Sequence, residues 1–170
     1  MKKPSLKDYA NYFVMGLKLN LCPKSEIVIW ADKLIEKIDV ITDWAIELST
    51  SANKSKLDVI RTLNSIPGSS DLEVSFRLLI AKLSLVKPVI FPDNSFMNSQ
   101  DSWLFSNMYL IVAEYDDLPD CIRGNIFEIY MDMDYFETGN LDWSVIQQDY
   151  ENLLIKGKEY RHLVSMEEIV

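Results

Sequence analysis

The chain has 170 residues, of which 48% are hydrophobic and 25% are charged, and its formal net charge at pH 7 is −9. This length and composition are typical of one globular domain with a sizeable core, and they argue against a disordered chain. The charge is uneven. From Pro88 to Ile155 the chain has thirteen Asp and Glu residues and one basic residue, Arg123, which disfavours binding to nucleic acid or to an anionic membrane.

No signal peptide is predicted for the N-terminal stretch, because Lys7, Asp8 and Asn11 interrupt any apolar segment there. No run elsewhere approaches the roughly 20 apolar residues that cross a bilayer. The two cysteines, Cys22 and Cys121, are too few and too far apart for a disulfide framework or a metal site. We therefore expect a reduced, cytoplasmic protein that does not attach to membranes.

Apolar residues recur at the helical spacing i, i+3, i+4 and i+7 along most of the chain, and the alternation typical of strands is nearly absent. Proline and glycine mark most breaks between the helical segments. The predicted helices span residues 5–20, 24–38, 42–50, 54–66, 71–86, 100–116, 119–136 and 142–158.

Four of the eight predicted helices carry an apolar stripe. Ser70 and Glu73 indicate a capping box before the fifth helix. Trp103 and Tyr109 lie at helical spacing with aliphatic residues, and we expect both, like Trp143, to be buried. The stripes are Ile27, Trp30, Ala31, Leu34, Ile35 and Ile38; Leu72, Phe76, Leu79, Ile80 and Leu83; Ile122, Ile126, Ile129 and Met133; and Trp143, Ile146, Tyr150, Leu153 and Leu154.

The loops between these helices are short, which predicts antiparallel packing of consecutive helices. Helix pairs recur every roughly 30–40 residues, but no self-similar motif repeats at a fixed period. We therefore predict an all-α protein with one domain over residues 1–170. Its architecture is expected to be an irregular bundle of about 7–8 antiparallel helices. A HEAT-like stack is the alternative.

The acidic run YMDMDYFETG, residues 130–139, does not match an EF-hand calcium loop. Counted from Asp132, such a loop needs an oxygen ligand at its fifth position, glycine at its sixth and glutamate at its twelfth. These positions hold Phe136, Glu137 and Trp143. We predict no metal site and no cofactor.

A carboxylate pair is the arrangement closest to a catalytic one. Glu128 and Asp132 are i, i+4 neighbours on a predicted helix, and such a pair can raise the pKa of one carboxyl group. The sequence shows neither a cleft nor sugar-binding groups beside them, so a solvated acidic face is the simpler interpretation. His162, the single histidine, lies in a charged segment and is expected on the surface. The prediction is a protein that is not an enzyme.

The acidic region also holds twelve of the nineteen aromatic residues. Tyrosine and tryptophan are common anchors of protein interfaces, and acidic side chains speed the encounter with a basic partner. We therefore predict a protein-binding surface in the C-terminal half. On a helical wheel, one flank of the predicted helix 119–136 holds Phe127, Tyr130, Asp134 and Glu137, and the other holds Glu128, Asp132 and Tyr135.

Two segments of the N-terminal half, IWADKLIE at 29–36 and WAIELS at 44–49, carry a family resemblance. They resemble the N-terminal helices of small helical immunity proteins, which are encoded beside bacterial polymorphic toxins, including those of contact-dependent growth inhibition. In that family a W-A-D-x-L-I helix precedes a W-x-I-x-L-S helix. The resemblance implies a cytoplasmic protein that binds and neutralises one cognate toxin, often a basic nuclease.

Three hypotheses remain open at this point. The first is such an inhibitor, which contacts a basic toxin through the acidic and aromatic C-terminal surface. The second is a helical scaffold or regulatory module that does not inhibit a toxin, and the third is a carboxylate-dependent enzyme. The candidate partner-binding residues are Asp116, Asp117, Asp120, Glu128, Tyr130, Asp132, Asp134, Tyr135, Glu137 and Asp142.

Overall fold

The computed structural model of the protein describes residues 2–37, 41–90, 100–115 and 118–165. Within these ranges the chain forms nine α-helices and no strand, which confirms the predicted all-α class. The helices are α1 (Leu6–Lys18), α2 (Lys24–Lys37), α3 (Asp43–Ser49), α4 (Lys56–Ser65), α5 (Leu72–Val86), α6 (Gln100–Ala113), α7 (Asp120–Glu137), α8 (Trp143–Ile155) and α9 (Arg161–Val164).

Polar caps set the starts of the first and fifth helices. Ser5 and Asp8 form a capping box: Ser5 Oγ accepts the Asp8 N–H at 3.1 Å, and the Asp8 carboxylate accepts the Ser5 N–H at 2.7 Å. The second oxygen of Asp8 accepts the Asp71 N–H at 2.6 Å, which ties the start of α1 to that of α5. Asp71 is the N-cap of α5, so the predicted capping role of Ser70 is wrong.

The predicted stripes form much of the core, although Ile35 and Leu72 are only partly buried and Ile38 lies outside the described residues. The four aliphatic residues of the α7 stripe are buried, and so are Phe76, Leu79, Ile80 and Leu83 of α5. Helix α5 lies at the centre, because α1 packs on it from the N-terminal part of the chain and α8 and α9 pack on it from the C-terminal part. In a solenoid each unit contacts only its neighbours, so this packing is that of a bundle.

Close backbone contact joins the end of α8 to α5. A Cβ atom on Gly157 would lie 2.4 Å from the backbone nitrogen of Ala81, so only glycine fits at this position. Beside it, Arg77 donates a hydrogen bond to the carbonyl oxygen of Lys156 at 2.8 Å. Gly157 thus allows the turn after α8 to dock closely on α5.

A buried ion pair connects α2 and α5. Lys82 Nζ lies 2.6 Å from a carboxylate oxygen of Glu26, and the two side chains are only 7% and 9% exposed. Such a pair contributes little net stability, but removal of one partner leaves a buried charge without compensation. The charge of Glu26 is therefore needed within the fold as the partner of Lys82.

One core prediction is wrong. Trp103 of α6 is 43% exposed, although its helical spacing with aliphatic residues predicted burial. Tyr109 and Trp143 are partly buried and pack against the core, so the prediction holds for them in part. Helix α6 has apolar side chains around its whole circumference, and the core accommodates only one side of it.

Candidate partner-binding surface

The core stripe of α7 leaves its remaining side chains on two flanks, as the helical wheel predicts. One flank adjoins α6 and the other adjoins α8, because α7 packs between these two helices. The predicted site residues on α7 therefore divide into two groups with different surroundings.

On the side of α6, three aromatic rings form a row. Tyr109 stacks on Tyr130 with a centroid distance of 4.7 Å and an interplanar angle of 1°. Phe127 lies 5.8 Å from Tyr109 on the same row and is 46% exposed. Contacts of this kind fix the rings relative to each other, so the row is preorganised.

Helix α6 also has two exposed apolar side chains outside this row. Trp103 and Leu110 are separated by seven residues and so share one helix face, where they are 43% and 59% exposed. Exposed apolar groups that cluster in this way mark interaction sites more often than scattered ones do. We call the following set the α6–α7 surface: Trp103, Ser106, Tyr109, Leu110, Phe127, Tyr130 and Asp134.

A cleft of about 230 Å³ opens between α6 and α7 within this surface. Its walls combine hydroxyl groups, two thioethers, an aromatic ring and one carboxylate. Asp134 is exposed, and its carboxylate makes no ion pair or hydrogen bond with any residue in the described ranges. The lining residues are Ser102, Ser106, Tyr130, Met131, Met133 and Asp134.

On the side of α8, carboxylates are gathered. Partial burial, and then the negative charges of Asp149 and Glu128, raise the pKa of Asp132 above its ordinary value. Glu128 is exposed, whereas Asp132 and Asp149 are partly buried between the helices. Asp149 was not predicted, because only the packing of α8 on α7 brings it beside Asp132.

Few cations offset these charges. In residues 118–165, Glu128, Asp132, Asp134 and Asp149 form no ion pair with a described residue. Arg123 is paired with Asp120 at 3.1 Å, and the Asp120 side chain remains 94% exposed. The charges of these four carboxylates are therefore not neutralised within the described chain.

The other predicted site residues lie at scattered positions. Tyr135 is 49% exposed, and Glu137 is exposed at the end of α7. Asp142 is the N-cap of α8, where its carboxylate accepts the Ser144 N–H at 2.8 Å, and this hydrogen bond lowers the pKa of Asp142. Asp116 and Asp117 lie outside the described residues.

The remaining residues considered for chemistry do not join a site on this surface. His162 is exposed on α9, as expected. Across the described ranges, no group of three or more His, Cys, Asp or Glu side chains is placed to hold a metal ion. In the same part of the chain, every helix is too short or too polar to cross a bilayer.

Sequence reasoning missed several members of the α6–α7 surface. Trp103 was assigned to the core, and Ser106 and Leu110 were not singled out. The signal that was available is the composition of α6, because a helix that is apolar all round cannot bury every side when it lies at the edge of a bundle. Phe127 was placed on the correct flank but was not included among the candidate contacts.

No family model matches the chain, and no match was found among curated proteins or among solved structures. The resemblance to immunity proteins therefore stays a prediction.

Proposed function

We propose that the protein is an immunity-type inhibitor, which binds a cognate bacterial toxin of basic charge through the α6–α7 surface. One observation carries the proposal: exposed aromatic and aliphatic side chains share one flank of α7 with Asp134, and Glu128, Asp132 and Asp149 lie towards α8 on the other flank. None of these four carboxylates has a cation partner in the described chain. An apolar patch with an acidic border suits a partner that brings its own basic groups.

Repulsion among the acidic side chains also supports the proposed binding of a basic partner. Thirteen acidic residues against one basic residue between positions 88 and 155 oppose the compact state through mutual repulsion. A basic partner offsets this repulsion and buries Trp103, Leu110 and Phe127 at the same time. Aromatic residues in such positions are the usual anchors of an interface, and the charges around them raise the association rate.

The family resemblance supports a toxin as the partner. It rests on segments 29–36 and 44–49, which lie in α2 and α3, away from α6 and α7. The toxins of that family are often basic nucleases, and an acidic surface would either plug the active site or cover a substrate-binding face.

Affinity capture tests the proposal. The tagged protein is isolated from its native cells at low and at high salt, and the retained proteins are identified by mass spectrometry. We expect a single basic toxin domain in stoichiometric amount, with retention that weakens as salt rises. Retention of a stoichiometric partner that is neither basic nor toxic would contradict it.

A charge-reversal variant locates the contact. Replacement of Asp132, Asp134 and Glu137 together by lysine is expected to weaken binding of the captured partner, most strongly at low salt. Unchanged affinity at low salt would remove this stretch from the interface.

A helical scaffold without toxin inhibition is the second candidate. It is favoured by exposed apolar side chains elsewhere on the bundle: Ile41 and Ile46 at α3 are 52% and 49% exposed, and Leu85 and Val86 at the end of α5 are both 46% exposed. Several separate apolar patches suit a protein with several partners. Capture of two or more partners that bind simultaneously would favour the scaffold over the inhibitor.

A further inference from the structure

We propose that the cleft between α6 and α7 receives an arginine side chain of the protein partner. This inference rests on the proposed function, because it assigns the partner's basic charge to one residue type at one place.

The size of the cleft favours a side chain over a metabolite. Its volume of about 230 Å³ lies below the range of about 300–1,000 Å³ that is usual for small-molecule pockets. A single long side chain occupies such a space without burying a whole ligand. The neighbouring Trp103 and Phe127 then contact the partner around the inserted residue.

The lining offers a place for each part of an arginine. The partly exposed thioether of Met131 can pack against its methylene groups, because methionine adapts to irregular apolar shapes, whereas Met133 belongs to the buried core. Tyr130, which Tyr109 holds in place by stacking, provides an aromatic ring near the guanidinium. Asp134 supplies the negative charge, and its carboxylate is not used by any described residue.

The geometry favours arginine over lysine. A guanidinium is planar, stacks on aromatic rings and donates two parallel hydrogen bonds to one carboxylate. Lysine meets the same carboxylate as a point charge and remains more strongly hydrated. A cleft that combines a fixed aromatic ring with one carboxylate therefore discriminates between the two.

An NMR titration of the intact protein with Nα-acetyl-arginine-amide tests the cleft directly. We expect saturable chemical-shift changes at Ser106, Tyr130 and Asp134, with weaker binding of the lysine analogue and none of the norleucine analogue. Asp134→Asn should weaken arginine binding about fivefold or more, because it removes a charge-assisted hydrogen bond.

Glu128→Gln is the matched control, since it removes one exposed carboxylate from the other flank of the same helix. It should leave arginine binding within about twofold of the wild type, because charges on the far side of α7 are screened. Chemical-shift changes spread evenly over the carboxylates of α7 and α8 would overturn the inference. An equal loss of arginine binding in the two variants would also overturn it.

The captured partner separates this inference from the function itself. If a basic toxin is captured and binds Asp134→Asn as tightly as it binds the wild type, the arginine cleft is wrong and the inhibitor proposal stands. If the arginine analogue binds in the cleft but no basic partner is captured, the cleft chemistry is supported and the toxin proposal fails.

Discussion

The helices α1–α5 and the helices α6–α8 use their charged residues in different ways. In α1–α5 most acidic side chains have a partner within the fold. Asp8 caps α1 and accepts a hydrogen bond from the start of α5, Glu26 pairs with Lys82, and Glu73 pairs with Arg77 at 2.7 Å. The contacts of Asp8 and Glu26 connect segments that are far apart in sequence, whereas the pair of Glu73 and Arg77 lies within α5. The charges of this part of the chain therefore contribute to the fold.

In α6–α8 the acidic side chains mostly lack such partners, although Asp101 of α6 is buried and pairs with Lys87. Within residues 118–165 the single described ion pair is that of Asp120 with Arg123, and its members are three residues apart on one helix. Asp132 lies among other carboxylates, and Asp134 faces an open cleft. The difference teaches that the charge of the C-terminal half is not explained by its own stability, and a partner of opposite charge provides an explanation.

The largest expected effect comes from breaking the buried ion pair between Lys82 and Glu26. Lys82→Met keeps most of the side-chain volume but leaves Glu26 buried without a cation. We expect a loss of about 3–5 kcal/mol in the free energy of unfolding, measured by urea denaturation. Lys54→Met is the control, because its pair with Glu47 is exposed and should matter far less. Equal losses in the two variants would show that the buried pair is not special.

The next prediction concerns the exposed aromatic residues of the C-terminal half. Phe127→Ser and Trp103→Ser should lower the free energy of unfolding by only about 1–2 kcal/mol, because the two side chains are 46% and 43% exposed and do not belong to the buried core. Each should weaken binding of the captured partner by about tenfold or more, measured by calorimetry. Ile46→Ser on α3 is the control and should leave the affinity unchanged. A large loss of stability would instead mean that these residues serve the fold.

Asp142 also differs from most acidic residues of the C-terminal half, because it serves the fold as the N-cap of α8. Asp142→Ala should lower the melting temperature by about 2–4 °C at pH 7. The hydrogen bond from the Ser144 N–H lowers the pKa of the folded carboxyl group, so its contribution is present above the unfolded pKa near 4 and is lost as pH falls. The two melting temperatures should therefore converge in acid, and a constant difference would exclude this carboxylate as the source.

The smallest expected effect is a gain in stability, and it concerns Asp132. Asp132→Asn should raise the free energy of unfolding at pH 7 by about 0.2–0.5 kcal/mol, because it removes repulsion from Asp149 and Glu128. The folded carboxyl has a raised pKa, so the wild type gains stability as pH falls through that pKa, and the advantage of the variant disappears in acid. Asp134→Asn is the control, because this exposed carboxylate lies on the other flank of α7, away from Asp149. Destabilisation by Asp132→Asn would show that this carboxylate is favourable within the fold.

Much of the fold was predictable from the sequence, because helical periodicity reports burial directly. Each of the eight predicted helices is present within three residues of its expected ends, and the four residues of the α7 stripe are buried. The short α9 and the 3₁₀ turns at Ser51–Asn53 and Lys158–Tyr160 were missed, since segments of three or four residues carry no measurable period.

The candidate site was predictable only in part. The period of 3.6 residues places Tyr130 and Asp134 on one flank of α7 and Asp132 on the other, but it does not say which helix each flank meets. Trp103 was assigned to the core because it lies at helical spacing with aliphatic residues. Helix α6 is apolar all round, so which of its sides is buried depends on tertiary packing. The approach of Asp149 to Asp132 likewise depends on how α8 docks, which one sequence does not encode in a readable pattern.

The narrow core stripe of α7 has a consequence for evolution. This long helix is held to the bundle by four buried residues, Ile122, Ile126, Ile129 and Met133. Most of its exposed positions therefore contribute little to folding. Substitutions there are nearly neutral for stability, whereas each one alters the surface that a partner meets. A lineage can therefore change what this helix recognises in single steps without first acquiring extra stability.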